Sequence, residues 1–212
     1  LDEKAEIVVF ERSGYISYAN CGLPYYIGDV ITDAEELTLQ TPESFYSRFR
    51  VDMRVHHEVT AIHPEKKTVS VKNLKTGEEF EESYDKLILS PGAKPTQPRF
   101  SGTELDKVFT LRTVEDTLRI KKYINQNHPK SVVLAGGGFI GLELAENLRE
   151  LGMDVTIVQK GKQLMNLFDH DMASFIHNEM RKHGVKLALG HTVEGFEDRD
   201  VGVDVLLKDE AP

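Results

Sequence analysis

The chain has 212 residues, 40% of them hydrophobic, which suits one large domain or two small ones with a packed core. Its net charge of −9 and its lack of a basic stretch with interleaved aromatic residues argue against binding to nucleic acid. Its apolar runs are too short to cross a membrane, and its single cysteine favours a reducing, cytoplasmic environment.

The first half of the chain predicts a parallel strand, two helices and a run of alternating strands. Glu11 ends the first strand, as an acid ends the second strand of a dinucleotide-binding unit, where the carboxylate holds a ribose. The strand, glycine turn and helix that open such a unit do not precede it, so we expect an incomplete unit. In chain order, the predicted elements are a strand at 6–11, a short helix after Asn20, a helix at 42–48, strands at 52–62, 67–72 and 78–84, and a buried strand that begins at Lys86 and leads into a glycine turn.

Cys21 is the only cysteine, so it cannot form a disulfide within the chain. Asn20 is a favourable helix N-cap residue, and Pro24 is tolerated in a first helical turn. A helix that begins there would place Cys21 at its positive end, where a nucleophilic thiolate is stabilised. The local residues support a small core residue equally well, because free cysteines are often buried.

The second half of the chain contains a glycine motif between a strand and a helix. Gly136 allows a tight turn, Gly138 lets the backbone approach a pyrophosphate, and Gly141 lets the helix pack close to the strand. This pattern predicts a dinucleotide site at the helix N-terminus, the alternative being an ordinary tight turn. The predicted elements are a helix at 114–125 capped by Thr113, a strand at 131–135, a helix after the glycine turn that ends at Gly152, a strand at 154–159, a helix at 169–183, a strand at 185–189 and a hairpin at 192–197 and 201–208.

Gln159 ends the second strand of this unit, 18 residues after Gly141, where an acid is expected to hold the adenosine ribose. A neutral amide followed by Lys160 and Lys162 weakens the case for strict NADH selectivity and leaves room for the 2′-phosphate of NADPH. A solvated loop explains the two lysines equally well.

Four segments carry a family resemblance, in order and at suitable spacing. They are residues 10–12, 17–25, 90–93 and 136–143. Together they resemble the single-cysteine branch of the pyridine nucleotide-disulfide oxidoreductases, and within it the coenzyme A-disulfide reductases and then the NADH-dependent persulfide reductases. The resemblance covers essentially the whole chain. The chain does not contain the family's FAD pyrophosphate-binding turn or its C-terminal dimerisation domain, so we expect a fragment of an enzyme.

The resemblance implies a flavoprotein that uses FAD with NADH or NADPH. Cys21 would be the redox nucleophile that reduces coenzyme A disulfide or a related disulfide or persulfide, and the full-length protein would be a homodimer. Two alternatives remain open at this point. One is an NADH oxidase or peroxidase in which Cys21 becomes a sulfenate, and the other is a non-catalytic nucleotide-binding fragment.

The resemblance also implies roles for individual residues. Ser17 and Asn20 correspond to positions near the thiol substrate. The cofactor-binding positions that it implies are Glu11, Arg12, Val59, Ser90 and Gly92 for FAD, and Phe139, Ile140 and Glu143 for the nicotinamide half, beside Gly136, Gly138, Gly141 and Gln159. No metal site is expected, because His56 and His57 alternate faces on a predicted strand.

The expected fold class is α/β, with two Rossmann-like dinucleotide-binding units and three-layer ββα character. Residues 1–113 would form a partial FAD-binding domain. Residues 114–212 would form an inserted NAD(P)-binding domain, truncated at its C-terminal end.

Overall fold

A computed structural model describes residues 4–96 and 99–208. The chain divides into two compact units. Unit 1 contains the chain up to Ala19 together with Glu35–Ala93, and unit 2 contains Asn20–Ala34 together with the chain from Lys94 onward. These units divide the chain at other positions than the predicted domains do, and the assignment of FAD to one part and nicotinamide to the other stays a prediction.

The helices and strands follow one another in mixed α/β order. They are β1 (Ile7–Glu11), β2 (Ser17–Tyr18), α1 (Leu23–Ile27), β3 (Thr38–Gln40), α2 (Pro42–Phe49), β4 (Val51–Val55), β5 (His57–His63), β6 (Thr68–Asn73), β7 (Glu79–Ser83), α3 (Val114–Asn127), β8 (Ser131–Ala135), α4 (Phe139–Glu150), β9 (Asp154–Gln159), α5 (His170–Lys182), β10 (Lys186–Leu189), β11 (Val193–Asp198) and β12 (Val203–Leu207). Within the described residues, no helix has the length and apolar character that a membrane span requires.

Unit 1 combines a parallel pair with an antiparallel sheet. Strand β1 pairs with β4 in parallel, and β5, β6 and β7 form an antiparallel sheet in that order. The single strand predicted at 52–62 is wrong, because His56 has a φ of 57° and separates β4 from β5. A left-handed residue cannot continue an extended strand, so the chain turns there and changes sheets.

The predicted buried strand that begins at Lys86 is also wrong. Leu87 is 38% exposed, Ile88 87% and Leu89 65%, and no strand is assigned to this segment. An apolar run forms a strand only when neighbouring strands satisfy its backbone hydrogen bonds. None of the described strands pairs with this segment, which is exposed and has no regular structure.

Unit 2 is built on a three-stranded parallel sheet in the order β10-β9-β8. Strand β8, helix α4 and strand β9 form a βαβ unit, with Ser131 opposite Asp154 and Ala135 opposite Val158. The parallel sheets and the α/β class confirm the predicted fold class. The core of this unit joins α1, α4 and the sheet, and its buried residues are Ile27, Ala145, Leu148, Met153, Val155, Ile157, Leu164 and Val185.

Helix α3 begins where the sequence predicts. The Thr113 side chain accepts a hydrogen bond from the Asp116 N–H, and the Asp116 carboxylate accepts one from the Thr113 N–H. This reciprocal capping box satisfies backbone donors that the first helical turn would leave without partners. It fixes the start of α3 directly after Thr113.

Candidate functional site

The glycine turn has the geometry that its three glycines predict. Gly136 follows β8 with a φ of 121°, a conformation that favours glycine. Gly138 is the N-cap of α4, and a side-chain carbon added there would meet nothing within 4 Å. A side-chain carbon at Gly141 would overlap the Gly136 carbonyl oxygen. The turn therefore brings helix and strand close together and leaves the backbone at Gly138 open to a ligand.

A pocket of about 200 Å³ opens at this turn. The Gln159 side-chain oxygen accepts a hydrogen bond of 3.0 Å from the Gly137 N–H, so the residue at the end of β9 is fastened to the turn. The Met165 N–H also donates to the Gly137 carbonyl at 2.8 Å. The pocket is lined by Gly137, Gly138, Phe139, Gln159, Met165, Asn166 and Leu167. Sequence reasoning missed the last three, which follow β9 in a segment without a recognised motif.

His177 supports the segment that lines this pocket. Its side chain is buried, with 7% exposure, and its Nε2 accepts a hydrogen bond of 2.9 Å from the Leu164 N–H. Burial lowers the pKa of His177, and the positive charges of Arg181 and His170 lower it further. The neutral imidazole is therefore the form that holds the segment after β9.

We expect protonation of His177 to destabilise the protein. Because its folded-state pKa is lowered, this contribution is complete above the ordinary histidine value of about 6.5 and is lost as the pH falls below it. Thermal unfolding at neutral and mildly acidic pH checks this. The wild type should lose more stability on acidification than His177→Gln, which accepts the same hydrogen bond without titrating. Equal losses in the two proteins would contradict the expectation.

Cys21 is exposed and lies in a short 3-10 turn, Asn20–Gly22, that runs into α1. The prediction of Asn20 as the helix N-cap is wrong. Gly22 occupies the cap position, two residues after Asn20, because Asn20–Gly22 form a 3-10 turn that precedes α1. The Asn20 Oδ1 instead accepts a hydrogen bond of 3.1 Å from Arg112 Nη1. Pro24 lies in the first turn of α1, as predicted.

A second pocket, of about 350 Å³, brings Cys21 and the start of α4 together. Phe139, Ile140 and Glu143 all line it, so three residues of the glycine motif share one cavity with the thiol. Arg112 adds a cation to the same cavity. Its full lining is Asn20, Cys21, Leu23, Pro24, Leu111, Arg112, Phe139, Ile140 and Glu143. Sequence reasoning missed Leu111 and Arg112. The basic residue directly before the helix cap is the sequence feature that could have indicated Arg112.

The remaining predicted residues lie in unit 1. Glu11 ends β1, and its Oε1 accepts a hydrogen bond of 2.6 Å from the Ser13 N–H. Arg12 Nη1 lies 3.6 Å from Glu58 Oε1. Val59 lies in β5 where the ladder shifts register, and Ser17 pairs with Gln40 between β2 and β3. Ser90 and Gly92 are exposed in chain without regular structure.

No metal centre is found among the described residues. Within residues 4–96 and 99–208, no group of three or more histidine, cysteine, aspartate and glutamate side chains is placed to hold an ion. The two pockets in unit 2 are lined by a thiol, a glycine turn, an arginine and a glutamate, among other residues.

A βαβ unit with an open glycine turn is typical of dinucleotide-binding proteins, and here an exposed thiol shares a pocket with the start of its helix. Residues 2–211 match the pyridine nucleotide-disulphide oxidoreductase family, and the chain belongs to that family. This confirms the resemblance inferred from the sequence.

Comparison with individual proteins shows which members of the family this chain resembles. The chain is 41% identical over 201 residues to coenzyme A disulfide reductase of Staphylococcus aureus, a match that covers 95% of this chain and 45% of that protein. The structure of reduced Bacillus anthracis CoADR-RHD is similar with a TM-score of 0.94 and 47% identity, over 100% of this chain and 38% of that one. Water-forming NADH oxidase from Lactobacillus brevis, bound to NADH, has a TM-score of 0.90 and 33% identity, over 98% and 46%. The chain thus spans about half the length of the curated relatives that it matches.

Proposed function

We propose that this chain carries the thiol and nicotinamide sites of a flavin-dependent disulfide reductase. Reducing equivalents would pass from NAD(P)H to Cys21, which reduces coenzyme A disulfide or a related disulfide or persulfide. The observation that carries the proposal is the shared pocket of Cys21 with Phe139, Ile140 and Glu143. Because the thiol lies in the same cavity as the start of the dinucleotide-binding helix, this arrangement suits the transfer of electrons from a bound dinucleotide to the sulfur.

The glycine turn fits a nicotinamide dinucleotide. Gly138 offers open backbone at the N-terminus of α4, where helix N–H groups attract phosphate. Gln159 lines the same pocket, at the place where the adenosine ribose is expected. Phe139 lines both pockets, so a dinucleotide held at the turn has a continuous path of lining residues toward the thiol.

FAD is proposed as the second cofactor. Glu11 fits this role, since a carboxylate at the C-terminal end of a parallel strand is placed to accept ribose hydroxyls. Arg12, Val59, Ser90 and Gly92 are the further residues that would hold its adenosine part. When bound, FAD supplies two-electron transfer between nicotinamide and sulfur.

The thiol chemistry is thiol–disulfide exchange. The Cys21 thiolate attacks one sulfur of the substrate disulfide, a bond forms between the two sulfurs, and the other half leaves as a thiolate. Two electrons from NAD(P)H and a proton then cleave the mixed disulfide, which releases the second thiol and regenerates Cys21. Exposure of Cys21 allows a substrate to reach its sulfur. Asn20 and Ser17 are proposed to contact this substrate.

A second candidate is an NADH oxidase or peroxidase in which Cys21 cycles through a sulfenate. The 33% identity to the water-forming NADH oxidase supports this candidate as an alternative. We also propose that the full-length protein is cytoplasmic and forms a homodimer. Sedimentation of that protein would test its oligomeric state.

Visible absorption of the full-length protein tests the proposal. A flavin band that bleaches with NADH or NADPH and returns when coenzyme A disulfide is added supports the disulfide reductase. A band that returns only with oxygen or peroxide supports the oxidase. A protein without a flavin band contradicts both and indicates a nucleotide-binding module.

The cofactor preference gives a sharper prediction. Gln159→Glu keeps an oxygen that can accept the hydrogen bond from Gly137 and adds one negative charge at the end of β9. This charge repels a 2′-phosphate, so kcat/KM for NADPH should fall by about tenfold or more relative to that for NADH. Steady-state kinetics with both cofactors measures the ratio, and NADH serves as the internal control. An unchanged ratio would show that the 2′-position does not lie near Gln159.

A further inference from the structure

Lys121 is a buried cation that the proposed chemistry does not use. The residue is 8% exposed, whereas Lys122, its neighbour on α3, is exposed. Burial of an ammonium group is costly unless hydrogen bonds and an opposite charge compensate. Lys121 Nζ donates to the Ile27 carbonyl at 2.9 Å and lies 2.7 Å from Asp29 Oδ2. Ile27 is the last residue of α1, and Asp29 follows it by two positions.

Helix α1 cannot hold its own position. It has five residues, and isolated helices of this length are unstable in water, so tertiary contacts must fix it. Leu23 and Ile27 are buried. A side-chain carbon at Gly28 would overlap the Asn147 side chain, so the end of α1 lies directly against α4. Lys121 on α3 therefore contacts the same end of α1 that packs against α4.

We propose that Lys121 is a positioning residue for Cys21, an inference that rests on the proposed role of Cys21 as the nucleophile. Cys21 is two residues ahead of α1, and Lys121 binds the other end of the same short segment. The double contact with a carbonyl and a carboxylate holds the C-terminal end of α1 against α3. A shift at Ile27 would be transmitted along about two helical turns to the thiol. Lys121 thus keeps Cys21 at a fixed position relative to Phe139 and Ile140.

The electrostatics support this arrangement. Asp29 has a φ of 62°, and its carboxylate meets the ammonium group directly after the last helical turn. A cation at a helix C-terminus also interacts favourably with the helix dipole. The lysine lies outside the residues that line the thiol pocket, so its effect on chemistry must act through α1.

Lys121→Met tests the proposal in the full-length protein, because methionine keeps an unbranched apolar stem and removes the charge and the donor. The rate of Cys21 alkylation by iodoacetamide, followed on the Cys21 peptide by mass spectrometry, should change about fivefold or more, and kcat for coenzyme A disulfide should fall by about tenfold, with KM for NAD(P)H unchanged. Lys121→Arg should restore both values. Lys122→Met is the matched control and should match the wild type.

The outcomes separate this inference from the proposed function. A folded Lys121→Met protein whose alkylation rate and kcat stay within about twofold of wild type overturns the positioning role. If Lys121→Met does not fold, Asp29→Gly decides, because glycine adopts the left-handed backbone freely and removes the carboxylate that Lys121 contacts. An unchanged alkylation rate in Asp29→Gly overturns the inference. A wild type that reduces no disulfide contradicts the proposed function, while a changed alkylation rate in Lys121→Met still supports positioning.

Discussion

Replacement of Cys21 by serine is expected to lower kcat/KM for disulfide reduction by about a thousandfold or more in the full-length protein, because a hydroxyl cannot form the mixed disulfide. Cys21 is the only cysteine of this chain and lines the pocket that contains the start of α4. Serine is close to cysteine in size, so the pocket and α1 should keep their structure. Oxidation of NAD(P)H in the presence of coenzyme A disulfide measures the loss.

The control for this experiment lies outside both pockets. Ser174→Ala removes a hydroxyl from α5 and should leave the rate unchanged. The Cys21→Ser protein should still bind nicotinamide at the glycine turn. Disulfide reduction retained in Cys21→Ser would exclude this thiol as the nucleophile. A wild type that oxidises NADH with oxygen but not with the disulfide, and loses this activity in Cys21→Ser, would favour the oxidase.

The parts of the fold that the sequence predicts correctly are those controlled by neighbouring residues. The capping box of Thr113 and Asp116 spans four residues, and it begins α3 where predicted. The glycine turn and α4 follow from residues that are close together in the chain and have fixed tasks. Local steric and hydrogen-bonding rules decide such features, and a single sequence displays them directly.

Features that depend on distant partners could not be predicted in this way. Arg112 contacts Asn20 across more than ninety positions of sequence, and no periodic pattern records such a pair. The apolar residues that follow Lys86 have the composition of a buried strand. A strand forms, however, only where a neighbouring strand pairs with it, and the composition does not show whether such a neighbour exists. Asn20 suits an N-cap by type, but the inserted 3-10 turn moved the cap to Gly22. Residue type thus indicated the site, while tertiary contacts decided its geometry.

Substitution of two glycines of the turn by alanine is expected to have different effects: Gly141→Ala should lower stability, whereas Gly138→Ala should lower NADH affinity. At Gly141, helix propensity alone predicts that alanine stabilises the protein by about 1 kcal/mol. The added carbon would, however, overlap the Gly136 carbonyl oxygen, a backbone atom that cannot move freely. We therefore expect Gly141→Ala to destabilise the protein by about 1–3 kcal/mol, as overpacking does. Denaturant unfolding measures the change.

Gly138→Ala is the matched comparison, because the added carbon would meet no protein atom within 4 Å. Its stability should change by less than about 1 kcal/mol, since glycine and alanine differ modestly at an N-cap. The open backbone there is where the pyrophosphate is expected, so NADH affinity should fall by about tenfold or more. Calorimetric titration of both variants with NADH separates the two effects. A stabilised Gly141→Ala protein would contradict the close helix–strand approach, and wild-type affinity in Gly138→Ala would place the phosphates elsewhere.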